Sequence, residues 1–200
     1  MGLFKSKTKS KELIKILKDN NIAYEFVKGK FTIKESLDLR GKNIKKLPDN
    51  MEIDGDIDLT MEKIDILPNN LKVNGNCFLS HIKIRELPKK MYVQETLGLR
   101  GVNISIIPED IYIGGSLGLA DTKITRLPDN FSLKGDLVLC DTPITELPEN
   151  LNIGRHLDIR GTAITKLPKS LKVGGDIMIA DTRIKEIPDN IEIGGKVDKS

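Results

Sequence analysis

Along the chain, apolar residues fall at six places that recur every 20 residues. In the first copy these are Leu37, Leu39, Ile44, Leu47, Met51 and Ile53, and seven further copies refill them up to Ile193. All 48 occupants are apolar in a chain that is 38% apolar overall, so the pattern is not a product of composition. Self-similarity at a fixed period, without insertions, marks a solenoid in which each unit buries its face against its neighbours.

Within a copy, Leu37-x-Leu39 and Met51-x-Ile53 alternate with period 2, which predicts two short half-buried strands per coil joined by two corners. Gly55, Gly75, Gly115, Gly135, Gly175 and Gly195 follow the second strand, where a sharp turn is expected to use positive φ. Proline follows the inward apolar residue of the connecting arc in every copy, from Leu47-Pro48 to Ile187-Pro188. There it stiffens φ and needs no ladder hydrogen bond. At strand spacing, eight coils make a rod about 38 Å long.

A solenoid of this kind needs its ends covered. Residues 1–35 read as a basic tail followed by a helix and hairpin cap. Ser10 to Asn20 places Leu13, Ile14, Ile16 and Leu17 on one helical stripe, and IAYEFVKGKFTI reads as strand, turn at Lys28-Gly29, and strand. Phe31 and Ile33 lie 20 before Met51 and Ile53, which predicts a half coil beneath the first. Residues 36–197 form the solenoid and 198–200 a short tail, so the fold class is a mainly β repeat solenoid of eight coils. No cap is visible after the last coil, which makes its edge a candidate for self-association.

The residues L-x-L-x-x-T-x-I-x-x-L-P-x-N-L-x-V-G-G resemble the leucine-rich-repeat superfamily, in particular the short LP-containing coils of bacterial and phage-type proteins. The likeness covers about residues 31–197. In that family an Asn ladder follows the L-x-L strand; here the equivalent column is Lys42, Glu62, Ile82, Val102, Thr122, Thr142, Thr162 and Thr182. A Thr hydroxyl is expected to replace the amide in the last four coils. The resemblance implies a binding scaffold, usually for another protein.

The net charge is +3, and nine Lys against four acidic residues make residues 1–35 carry +5. The repeat itself is near neutral, so no nucleic acid partner is expected. No apolar run approaches the roughly 18 residues of a membrane span, and the first segment lacks the apolar core and cleavage site of a signal peptide. A cytoplasmic location is the expectation.

No residue pattern suggests catalysis or a bound cofactor. His81 and His156 sit three coils apart, about 14 Å at strand spacing, too far for one metal or one triad. Cys77 takes an inward position, and Cys140, expected to face outward, is three coils distant, which excludes a disulfide. Asp38, Asp54, Asp56 and Asp58 make an acidic cluster for a hard cation, although without EF-hand spacing. Gly98 and Gly118 flatten one strand face, giving an alternative reading as a small-ligand, nucleotide or ion binder. Columns Thr122, Thr142, Thr162, Thr182 and Thr125, Thr145, Thr165 raise an ice-binding array, and Arg40, Arg100 and Arg160 recur every three coils.

Apolar residues at places meant for polar ones carry more information. Coils two to four hold Met61, Ile66, Phe78, Ile82, Tyr92, Val102, Ile106 and Tyr112 at outward or arc positions, either to bind a partner or to receive the N-terminal helix. Met61, Phe78, Tyr92 and Tyr112 are the candidate partner-binding residues, because exposed aromatics are frequent interface anchors. MGLFKS also fits the N-myristoylation pattern at Gly2, with Lys5, Lys7, Lys9 and Lys11 as a second electrostatic signal. A membrane partner is expected only if Gly2 is acylated. The expected function is thus a non-enzymatic interaction scaffold, with the ligand binder and a lipid-anchored scaffold as alternatives.

Overall fold

The structure, a computed structural model, describes residues 11–200. Over these residues it is a mainly β solenoid of eight turns preceded by a short helix, Lys11–Asp19. Leu13 and Leu17 of that helix enter the same continuous core that runs along the coils. The strands Tyr24–Val27 and Lys30–Ile33 form an antiparallel hairpin through Lys28 (φ 50) and Gly29 (φ 81). Phe31 and Ile33 then pair in parallel with Met51 and Ile53, so the half coil seats the first full one.

Each coil gives one strand to each of two faces, and like positions lie in register. Leu97 pairs with Cys77 below and Leu117 above, and this registry runs through a nine-stranded parallel sheet from Leu37–Asp38 to Val197–Asp198. In the first seven coils the inward columns are buried except at Ile111, Ile113 and Phe131, because the 20-residue period sets every apolar side chain above its equivalent. In the last coil Ile184, Ile187, Ile191, Ile193 and Val197 are only partly buried.

Two corners are built differently from the expectation. None of Gly55, Gly75, Gly115, Gly135, Gly175 and Gly195 has positive φ. Their reason is space: a Cβ on Gly75 would stand 2.8 Å from the Gly55 carbonyl, and one on Gly115 2.8 Å from that of Glu95. Left-handed backbone falls instead on the next corner, at Gly41, Met61, His81, Gly101, Asp121, Asp141, Gly161 and Asp181. It also falls on Asn50, Asn70, Asn130 and Asn150 of the P-x-N turns, where a short amide tolerates it.

The corner between the two strands carries a ladder that the repeat motif does not announce. Asp56, Asn76, Asp136, His156 and Asp176 each accept, through the side chain, the backbone N–H of the residue 20 later. Ser36 and Ser116 do the same through their hydroxyls. His156 accepts at Nδ1, 3.0 Å from Asp176 N, so that nitrogen carries no proton. The visible signal was an acceptor-bearing side chain at nearly every twentieth residue; only the pairing shows its use.

The Thr column behaves as expected. Thr122, Thr142, Thr162 and Thr182 donate their hydroxyls, each over 2.7 Å, to the carbonyl three residues earlier. Thr125, Thr145 and Thr165 are exposed while Thr122, Thr142 and Thr162 are buried, so the two columns share no face and make no ice-binding array. Ile82 and Val102, expected outward, are buried in the same column as these Thr, where an apolar side chain needs no hydrogen-bond partner.

Candidate interaction surface

The surface of interest grows from strand register. On the face begun by the hairpin, Thr32, Glu52, Lys72, Tyr92 and Tyr112 stand one above another. Parallel pairing holds equivalent side chains one strand spacing apart, about 4.8 Å, and the two tyrosine rings stack at 4.6 Å with planes 9° apart. Lys72 Nζ lies 5.5 Å from the Tyr92 ring and 2.8 Å from Glu52 Oε1. The Tyr92 hydroxyl bonds Gln94 Oε1. A rigid column thus presents cations and a carboxylate at one end and an aromatic pair at the other, with Tyr112 42% exposed.

Glu52 ties that column together. Lys30 and Lys72 both bond its carboxylate, whose side chain is only 12% exposed, and they pull its pKa from the usual 4.5 to about 2. The same carboxylate raises Lys72. Because the folded value lies below the unfolded one, this stabilisation is complete above pH 4.5 and is lost as pH falls towards 2. Glu52→Gln is therefore expected to cost about 1–2 kcal/mol at neutral pH, reduced by the exposure of both lysines. Urea unfolding across pH should show parent and variant converging below pH 4.5; a gap independent of pH would contradict the assignment.

The remaining candidates do not join this pair. Phe78 lies on the nine-stranded sheet, where its ring reaches the backbone of Gly98; a Cβ there would meet it at 3.4 Å. Met61 occupies a left-handed corner (φ 63) and is 73% exposed. Ile66 and Ile106 are exposed on the arcs. These residues stay open with the N-terminal helix in place, so the helix does not cover them.

The other candidate sites are largely occupied by their own neighbours. Asp38 forms a two-point pair with Arg40, which holds its carboxyl down at about 2. Asp58 receives Thr60 N, Asp56 receives Asn76 N, and Asp54 receives the Asn74 amide. The four carboxylates therefore do not converge on one point, and among the described residues no group of three or more His, Cys, Asp or Glu is placed to hold a metal. Arg160 is paired on its own strand with Asp158, whereas Arg100, with Gly98 two places before it, turns to Asp121 at 3.0 Å. Burial pushes the Cys77 thiol well up, and the partly buried Cys140 is raised for the same reason. Gly2 lies outside the described residues.

One feature of this face has no counterpart in the sequence pattern. Beyond Tyr112 the sheet stops: its six strands end at Tyr112–Ile113, and a separate four-stranded sheet begins at Ser132–Leu133. A cleft of about 380 Å³ lies between them, lined by Pro108, Glu109, Ile111, Tyr112, Phe131 and Lys134 among others.

Fold and surface together define the class as a mainly β repeat solenoid with an interrupted face. Among known proteins, no family model and no curated sequence matches the chain. No helix among the described residues is long and apolar enough to cross a membrane.

Proposed function

We propose that this chain is a non-enzymatic interaction module of leucine-rich-repeat type, which binds a protein partner through outward residues of coils three to five. The observation that carries the reading is the stacked Tyr92–Tyr112 pair, held in register on a rigid ladder and left partly exposed beside an open cleft. Rigid aromatics lose little conformational entropy on binding and are frequent hot spots. The cluster of Asp carboxylates, tied up in local hydrogen bonds, favours this reading over an ion binder.

Replacing Tyr92 and Tyr112 together by Ala is expected to remove capture of the partner from the native host lysate. Loss of the ring stack costs about 1 kcal/mol, so thermal unfolding should shift by only a few degrees. Undiminished capture by a folded double variant would remove this surface from the proposal.

A further inference from the structure

The interruption is a set of unmade main-chain bonds. Below it, Tyr112 and Gly114 donate to Met91 and Val93, each over 2.9 Å; above it, Asn152 and Gly154 donate to Phe131 and Leu133 over 3.2 and 2.8 Å. The equivalent bonds from Ser132 and Lys134 N–H to the Ile111 and Ile113 carbonyls are not formed. On the opposite face Leu97 still pairs with Leu117, so the two coils part on one side only.

The gap also exposes core. Ile111, Ile113 and Phe131 are only partly buried, whereas Met91, Val93, Leu151 and Ile153 in the adjoining coils are fully covered. Among the eight full coils Phe131 is the one aromatic in a column otherwise filled by Met, Leu and Ile, and it lines the gap; Phe31 of the half coil shares that column and pairs with Met51. At the proline end, Glu109 and Asp129 line the cleft without an ion pair among the described residues.

Two donors above, two acceptors below and apolar walls between them are what an extended backbone with alternating apolar side chains satisfies. Two free carboxylates at one end call for a cation. We propose that the cleft receives an extended peptide strand from the partner, which completes the ladder between coils four and five. Its apolar side chains enter beside Ile111 and Phe131, and a Lys or Arg at its leading end sits between Glu109 and Asp129. This rests on the interaction-module reading and specifies how the partner engages.

The probe is a fluorescein-labelled peptide LPKSLKVGG, the sequence of this chain's own Leu167 to Gly175, which carries that pattern. Titration with the full chain is expected to give saturable anisotropy, and at least tenfold weaker binding for LPESLEVGG. Amide exchange at Ser132 and Lys134 should be fast in the free chain and slow at least tenfold on binding. Phe131→Leu should slow the same amides without peptide and abolish peptide binding. Glu109→Gln with Asp129→Asn, both on the surface, should weaken binding at least tenfold with unchanged melting temperature.

The proposal is overturned if Ser132 and Lys134 are as protected in the free chain as Asn152 and Gly154. It is overturned equally if LPKSLKVGG does not bind or leaves both amides unchanged, or if the acidic peptide binds as well. Protection that rises with protein concentration alone would assign the cleft to a second copy and also overturn it. Failure of the peptide while the tyrosine variants still lose their captured partner would sink strand insertion and leave the interaction reading standing.

Discussion

Leu97→Ala is expected to lower the unfolding free energy by about 3 kcal/mol, within the 2–5 kcal/mol found for buried Leu truncations. Leu97 is fully buried between Cys77 and Leu117, and the bonds from Leu97 N to Ser116 O and Leu99 N to Gly118 O hold its coil at ladder spacing. The neighbours therefore cannot collapse into the space, and the cavity term adds to the lost transfer energy. Solenoid stability is a sum over adjacent units, so the defect also weakens coupling between the two halves. Val197→Ala, at the same column in the partly exposed last coil, should cost under about 1 kcal/mol. Urea unfolding of both variants checks the pair; equal losses would show that the coils do not depend on their neighbours as argued.

Glu62→Ala is expected to cost about 2 kcal/mol, by leaving a buried donor without a partner. Glu62 is 3% exposed, and its Oε2 accepts Ile44 N–H over 2.8 Å, joining the second coil to the first. Glu62→Gln keeps an acceptor oxygen and should recover most of the loss. Amide exchange at Ile44 separates the variants: fast with Ala, slow with Gln. If Gln and Ala lose equally, the charge and not the acceptor carries the contact.

Sequence reading was strongest where a residue's role repeats. Thr142 was assigned its hydroxyl bond because three other coils place Thr at the same step, and Tyr92 was set beneath Tyr112 by the period alone. It was weaker where one column serves two purposes. The pattern places Ile82 and Val102 at a polar, outward step, yet the position faces inward and accepts either an apolar side chain or a Thr that bonds its own coil. The pattern predicts left-handed turns at the corner glycines, whereas their need is close approach of one coil to the next. Both features depend on the distance and direction between coils, which a one-dimensional pattern does not contain.

For the candidate surface, the exposed tyrosines were legible as departures from the motif, and the cleft beside them was not. Phe131 satisfies the apolar rule as well as Leu151 does, so pattern alone passes over it. That it borders the gap between coils four and five appears only once the coils are stacked.

By itself the sequence determined the 20-residue period, the six inward columns, the capping helix and the vertical order of side chains, because each depends on contacts between identical positions of adjacent copies. Tertiary structure decided which corner turns left-handed, which acceptors form the ladder at Asp56 to Asp176, and where one face parts between Ile111 and Phe131. Those outcomes follow from how closely successive coils can approach, a balance of side-chain volume against main-chain hydrogen bonding that is settled only once the coils are stacked.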